Sequence, residues 1–442
     1  MSRKKRIILI IVLLSYFVTA IDGSIVITGL EKMSVDLSLN QSALAWVQNA
    51  YILAFGGFIL LGGRLSDIYG RKRILNIALL MFCIGSAIAG ASMSATSMIF
   101  SRFLQGIGAA ILAPTSLALL MDTFDGKERV KAVAWYSSIS GLGSSMGLVL
   151  GGLFASFTSW RDGFYINVPL TLFMLILSYR TLDNKEVKYE RFDLIGTVLS
   201  VIGIFAFVYS INGAKNFLFW FILSILLLFF FVIWQSKTDV PIMPLDLFKN
   251  KIRMGAYIAR TFYMCAMFGF WFYLSECLQK VFNYSPILTG FAFFPMTISL
   301  FIAAVFVPRL ANQYGNKNVL MIGIVLLFVG FIWILFLTEK GTYALNIMVA
   351  LLLLGLGQGL CMSPLTSLGI YNTNPENSGA ASGLVNMAHQ IGGSIGLSIM
   401  VAYNQSITSM IQSFHRAMII GLIFVLLLFA TSILIFKNYK GE

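Results

Sequence analysis

Charge is scarce in this chain: 11% of its 442 residues are Asp, Glu, Lys or Arg, against 58% hydrophobic residues. A water-soluble chain of this length needs charge over most of its surface, so a soluble globule is excluded. The same shortage of polar sequence excludes disorder. Cysteine is nearly absent too. The four present (Cys83, Cys265, Cys277, Cys361) lie in apolar runs without metal-ligand or CxxC spacing, and read as small core hydrophobes rather than a disulfide or zinc framework. No GxxxxGK[ST] loop occurs, nor any polar stretch long enough to hold a nucleotide. The ionisable residues inside the apolar runs do not pair a nucleophile with a base, which argues against an enzyme.

What the chain has in abundance is long apolar sequence, with a mean hydropathy of +0.86. About 20 apolar residues cross about 30 Å of hydrocarbon. About fourteen such windows are present, near 7–29, 44–62, 75–93, 97–118, 131–154, 163–182, 194–213, 217–235, 255–278, 286–307, 318–337, 344–368, 384–404 and 417–436. The first follows MSRKKR, is too long for a signal peptide and has no small-residue cleavage site, so an uncleaved span is expected. Only Gly213 to Asn216 separate the seventh and eighth windows, a helical hairpin. The expected fold is an all-α polytopic membrane protein, with six spans in 1–192, a central hairpin in 193–236 and six spans in 237–442.

The net charge of +13 would suggest nucleic acid in a soluble protein. Here the basic residues flank the spans and report topology. With a cytoplasmic N-terminus, one side collects Arg3 to Arg6, Arg64, Arg71 to Arg73, Lys127 to Lys131, the basic residues of 180–191 and 237–253, Arg309, Lys317, Lys437 and Lys440. The other receives Lys32, Arg161, Lys215, Lys280, Lys340 and Arg416. Both termini are therefore expected on the cytoplasmic side of the cell membrane.

The halves are related. GRLSDIYGRK from Gly63 and PRLANQYGNK from Pro308 align at an offset of 245, matching Arg64 with Arg309, Tyr69 with Tyr314, Gly70 with Gly315 and Lys72 with Lys317. Two related six-span units are the architecture of transporters that rock between two states.

At this point the sequence resembles the major facilitator superfamily, and within it the fourteen-span drug:proton antiporters, over nearly the whole chain. GRLSDIYGRKR (Gly63 to Arg73) is similar to the family's signature loop, and RFLQGIGAA (Arg102 to Ala110) to its fourth-span motif. GSSMGLVLGG (Gly143 to Gly152) is similar to its antiporter motif, with Leu148 where the family has proline. WRDGFYINVP (Trp160 to Pro169), DGSIVITGL (Asp22 to Leu30) and SGAASGLVNMAHQIGGSIG (Ser378 to Gly396) resemble segments of the fourteen-span branch, with His389 where an arginine is expected. The resemblance implies a major facilitator fold and drug efflux driven by a proton gradient without a cofactor.

Ionisable residues inside spans are costly and informative. Asp22 lies about 15 residues into the first span, and Arg102 about five residues into the fourth, which runs the other way. At 1.5 Å per residue they reach about the same depth, so a compensated carboxylate able to exchange a proton is expected there. Glu276, late in the ninth span, reads either as a second proton or cation site or as an interfacial partner of Lys280 at i, i+4. Arg260 is expected to snorkel to the headgroups, and His389 to pack in a glycine-rich helix. Phe268, Trp271, Phe272 and Tyr273 are the stretch expected to bind flat cationic compounds, beside Asp22 and Glu276. Gating is expected from an Asp67–Arg71 latch, from turns at Gly63 and Gly70, and from Gly143, Gly147 and Gly151, a small-residue stripe between the halves.

These residues together predict a monomeric, proton-driven exporter of lipophilic, cationic drugs, with protons, small molecules and lipids as its partners and no nucleic acid. Sodium is an open alternative as the driving ion. An exporter of one compound (tetracycline, an amino acid or a siderophore) and a transport-inactive sensor are the competing readings.

Overall fold

A chain segment surrounded by lipid has no water to bond its backbone, and a helix lets one segment satisfy its own amide groups. The computed structural model describes residues 2–183, 192–212, 214, 216–374 and 377–436, and these are helical with no strand among them. Of the charge pattern, Lys185, Lys188, Arg191, Lys215, Lys437 and Lys440 lie outside the described residues, as does Gly213 of the hairpin turn.

The helices are α1 (Arg3–Asp36), α2 (Gln41–Tyr69), α3 (Arg71–Gly90), α4 (Ala95–Thr123), α5 (Gly126–Phe157), α6 (Asp162–Tyr165), α7 (Asn167–Thr181), α8 (Leu194–Ile211) and α9 (Phe217–Lys237). They continue with α10 (Lys251–Lys280), α11 (Pro286–Ala292), α12 (Phe294–Ile334), α13 (Val349–Gly369), α14 (Ser378–Asn404) and α15 (Met410–Phe436). Eleven helical stretches among the described residues are long and apolar enough to cross a membrane. The windows at 286–307 and 318–337 merge in one of them, Pro286–Ile334, and the apolar part of α5 is the shorter Leu142–Phe157.

The chain forms two compact units, Met1–Ala206 with Ile222–Ile242 and Ser285–Gly290, and Phe207–Phe221 with Met243–Tyr284 and Phe291–Glu442. In the first, α1 packs on α5, and α4 on both α2 and α3; in the second, α10 packs on α14 and α15, and α12 on α13. The sequence repeat is visible in the backbone. Gly70 ends α2 at φ 87° and ψ 142°, and Gly315 breaks α12 at φ 79° and ψ 153°. Both conformations favour glycine, so each turn is written at the same place in the repeat. Gly63 makes no such turn. It lies within α2, a turn and a half before the helix ends, so the expected turn at that glycine is corrected.

All four cysteines are buried and free, as their apolar surroundings required. Outside the bundle, Lys4 pairs with Asp183 at 2.6 Å and Lys5 with Glu128 at 3.0 Å. The hydrogen bond from each lysine holds its carboxylate below the usual range.

Candidate functional site

Asp22 and Arg102 meet inside the first unit, as their similar depths allowed. Arg102 Nη1 lies 2.5 Å from Asp22 Oδ2, and both side chains are 0% exposed. Removing two charges from water costs several kcal/mol per ion, so such a pair persists only with further hydrogen bonds around it. Here they come from four helices. Gln105 Nε2 (α4) and Asn167 Nδ2 (α7) both donate to Asp22 Oδ1 at 2.9 Å. Gln105 also donates to Ser86 Oγ (α3) at 2.8 Å. Arg102 donates through Nε to the Val47 carbonyl (α2) at 3.2 Å and through Nη1 to Gln105 Oε1 at 2.8 Å. Its guanidinium carbon lies 4.2 Å from the Tyr51 ring centroid and 5.7 Å from that of Phe164, two cation–π contacts in a desolvated site. Two polar atoms remain open: Arg102 Nη2 and Asn167 Oδ1 complete no hydrogen bond among the described residues.

Local sequence explains the placement. Residues 102 and 105 are one turn apart on α4, so arginine and glutamine share a face. In WRDGFYINVP, Trp160 Nε1 and Arg161 Nη1 both reach Asp36 Oδ2, at 2.8 and 3.2 Å, and Arg161 Nη2 reaches the Ser92 carbonyl at 3.2 Å. The motif thus ties the ends of α1 and α3 together and delivers Phe164 and Asn167 to the pair. Gln105 and Asn167 carry no charge and gave no burial-cost signal. Only their positions inside the two motifs pointed to them.

The residues expected to gate fall out unevenly. Asp67 and Arg71 form the expected ion pair, and Arg71 also reaches Ser66 Oγ at 2.7 Å and Asp122 Oδ2 at 3.4 Å. The glycine stripe packs on α1 of its own unit: Gly143 faces Phe17 and Ala20, Gly147 faces Ile21 and Ser24, and Gly151 faces Ile25 and Thr28. A stripe between the halves is therefore corrected to one that holds α5 against the helix carrying Asp22. Small residues permit that approach because a Cβ at Gly147 would stand 2.6 Å from the Ile21 carbonyl oxygen.

On α10, Glu276 is buried and pairs with Lys280 at 2.8 Å. The aromatic stretch divides between faces, since successive helical residues turn away from one another. Phe272 and Tyr273 are buried, and the Tyr273 hydroxyl donates to the Met400 carbonyl at 3.3 Å. Phe268 and Trp271 are half-buried and touch edge-on at 5.2 Å. Arg260 does not snorkel. It is buried and donates from Nη1 to the Met362 carbonyl of α13 at 3.1 Å. His389 is half-buried, its ring edge-on to Phe268 at 6.5 Å. No group of three or more His, Cys, Asp or Glu side chains suited to a metal ion occurs among the described residues.

Comparison with known proteins agrees with this architecture. The sequence profile of the Major Facilitator Superfamily matches residues 12–397. The chain is 31% identical to the puromycin resistance protein pur8 of Streptomyces alboniger, over 92% of this chain and 83% of that protein. It is 30% identical to the cephamycin export protein CmcT of Amycolatopsis lactamdurans (91% and 85%) and 28% identical to the multidrug transporter protein MdtP of Bacillus subtilis (91% and 76%). In fold it is similar to the POT family transporter PepTSo, with a TM-score of 0.72 at 13% identity over the full length of both chains. The chain belongs to the major facilitator superfamily, as a multi-pass membrane transporter of small molecules and not an enzyme.

Proposed function

We propose that the chain is a proton-driven antiporter that exports lipophilic drugs across the cytoplasmic membrane, through fourteen spans arranged as two six-helix bundles and a hairpin. The observation that carries this reading is the sequestered Asp22–Arg102 pair. A carboxylate closed off from water and held by donors on α4 and α7 ties α1 to those helices most strongly while it is ionised. Protonation removes the counter-charge of Arg102, and breaking a buried pair costs about 3–5 kcal/mol. Arg102 stays partly held by Val47, Gln105 and the two rings. The new Asp22 O–H finds its acceptor in Asn167 Oδ1, the one left open. Proton uptake thus loosens α1 against α4, while Asn167 keeps it on α7, and biases the transport cycle. Arg71, joined to Asp67 and Asp122, is the latch that holds one state.

Lipophilic character is what the aromatic face of α10 supports. A cation preference rests on Glu276, which would have to exchange Lys280 for the drug. The names of the relatives also favour a second reading: pur8 and CmcT are each named for one compound, MdtP for many. A substrate panel in a pump-deficient host separates export of one compound from broad efflux. Coupling is tested in everted vesicles. Asp22→Asn is expected to abolish drug-induced proton movement and active efflux while the protein is still made, and full activity in that variant removes Asp22 from the cycle.

A further inference from the structure

In the first unit α3 packs along α7, and between their basic ends lies a cleft of about 400 Å³ lined by Asn76, Leu175, Ile176, Tyr179 and Arg180. Helical spacing builds it. Residues four apart share a face, so Lys72, Asn76 and Leu80 form one stripe on α3, running from charge to amide to hydrocarbon. On α7, Arg180, Ile176 and Leu172 run from charge to hydrocarbon in the opposite chain direction. Leu80, Ile176 and Leu172 are exposed, as side chains that meet acyl chains are, and so is Tyr179, at the level where an aromatic belt sits. Each stripe thus has the polarity profile of a phospholipid, from headgroup to chain.

The charges at the headgroup end are not cancelled. Arg180 is exposed and enters no ion pair among the described residues. Lys72 Nζ donates to the Tyr179 carbonyl at 3.1 Å and lies 5.1 Å from the centroid of that ring, a second cation beside the cleft. An ammonium has three donors, and one is used. The acids at this end are already engaged: Asp183 by Lys4 at 2.6 Å, and Asp67 and Asp122 by Arg71. Asn76 Oδ1 is a buried atom that completes no hydrogen bond among the described residues. The cleft therefore offers two cations, an open acceptor and an apolar floor.

We infer that this cleft binds an anionic phospholipid, phosphatidylglycerol. Arg180 and Lys72 donate to the phosphodiester, and a hydroxyl of the glycerol headgroup donates to Asn76 Oδ1. The acyl chains follow Leu80, Ile176 and Leu172 into the bilayer. Hydrogen bonds between charged donors and phosphate oxygens are the strong ones, and basic pockets between membrane helices recognise anionic headgroups. A zwitterionic lipid brings its own cation to the same two residues and binds more weakly. The inference rests on the chain being a multi-pass membrane protein and is independent of what drives transport.

The test is native mass spectrometry of the purified full-length protein in detergent, titrated with phosphatidylglycerol, phosphatidylmethanol and phosphatidylcholine of identical acyl chains. Wild type is expected to bind a first phosphatidylglycerol about tenfold or more tightly than phosphatidylcholine. Phosphatidylmethanol, with the same charge and no headgroup hydroxyl, is expected in between. Arg180→Gln and Lys72→Gln are each expected to lower the preference for phosphatidylglycerol over phosphatidylcholine about fivefold. Arg309→Gln, in the second unit, leaves it intact. Asn76→Ala is expected to bind phosphatidylglycerol no better than phosphatidylmethanol, while both still exceed phosphatidylcholine. Where Lys72→Gln does not fold, Arg180→Gln decides alone, because its side chain is exposed and unpaired. Equal affinities in wild type, an undiminished preference in Arg180→Gln, or the same loss in Arg309→Gln overturns the site. A hydroxyl preference that survives in Asn76→Ala overturns the contact assigned to that residue. Displacement of the lipid by an equal concentration of inorganic phosphate assigns the cleft to a soluble anion and overturns the lipid as its occupant.

Discussion

At the scale of single residues, the centre of the first unit depends on geometry as much as on charge. Arg102 addresses Asp22, Gln105, Val47 and two rings at once. A lysine ammonium is a point donor that can replace the charge but not the planar fork. Arg102→Lys is therefore expected to lose coupled efflux nearly as completely as Asp22→Asn, and a vesicle assay with tenfold or greater loss in both bears this out. Asn167→Ala removes one hydrogen bond to a buried carboxylate, worth about 1.5–3 kcal/mol. Its melting temperature in detergent is expected to fall while drug-induced proton movement is weakened rather than abolished. An Asn167→Ala protein as stable and as active as wild type would detach α7 from the site. Charge made Asp22 and Arg102 legible in the sequence, because burying it demands a partner. The neutral amides were not, since an Asn or Gln in a span is inexpensive enough to have many uses. Arg260 was misread because distance along a helix gives depth, whereas the direction of a side chain depends on which helix packs beside it.

At the scale of elements, the repeat makes two sharp predictions. Gly70 and Gly315 occupy backbone conformations that an alanine enters only with strain, of order 1–3 kcal/mol. A Cβ at Gly315 would meet nothing within 4 Å, so the cost of Gly315→Ala is purely conformational. Thermal unfolding of purified Gly315→Ala is expected at a lower temperature than wild type, and an unchanged midpoint would show that the turn does not need glycine. Gly147→Val tests packing instead. Its side chain would collide with the Ile21 carbonyl and Ser24 on either side of Asp22, and overpacking costs about 1–3 kcal/mol. The expected result is a transport defect larger than the loss of melting temperature explains, because α1 is displaced where the buried Asp22–Arg102 pair sits. The fourfold glycine spacing was plain in the sequence. Which helix it would face was not, because a small-residue stripe says only that some backbone comes close. The matching pair Gly392 and Gly396, on the Thr261 and Cys265 backbone, lay unnoticed in a segment quoted for other reasons.

At the scale of the whole molecule, the proposed antiport would put proton and substrate in one free-energy cycle, and linkage would make their effects reciprocal. If protonation of Asp22 opposes substrate binding, then substrate must release the proton to the same extent. The sign follows: lowering the pH weakens substrate binding. One proton per substrate limits the slope to a tenfold change in Kd per pH unit, about 1.4 kcal/mol. Asp22→Asn cannot release a proton, so its affinity is expected to stay flat with pH. It should settle near the weak value that wild type shows at low pH, since the amide stands in for the neutral acid. Glu276→Gln is the companion variant, because it removes the buried carboxylate of the second unit and so separates a slope carried by Asp22 from one carried by Glu276. Substrate titrations at several pH values on wild type and both variants measure all three curves. A wild-type Kd indifferent to pH would uncouple Asp22 from the substrate, and a slope that survives in Asp22→Asn would move the proton to another group.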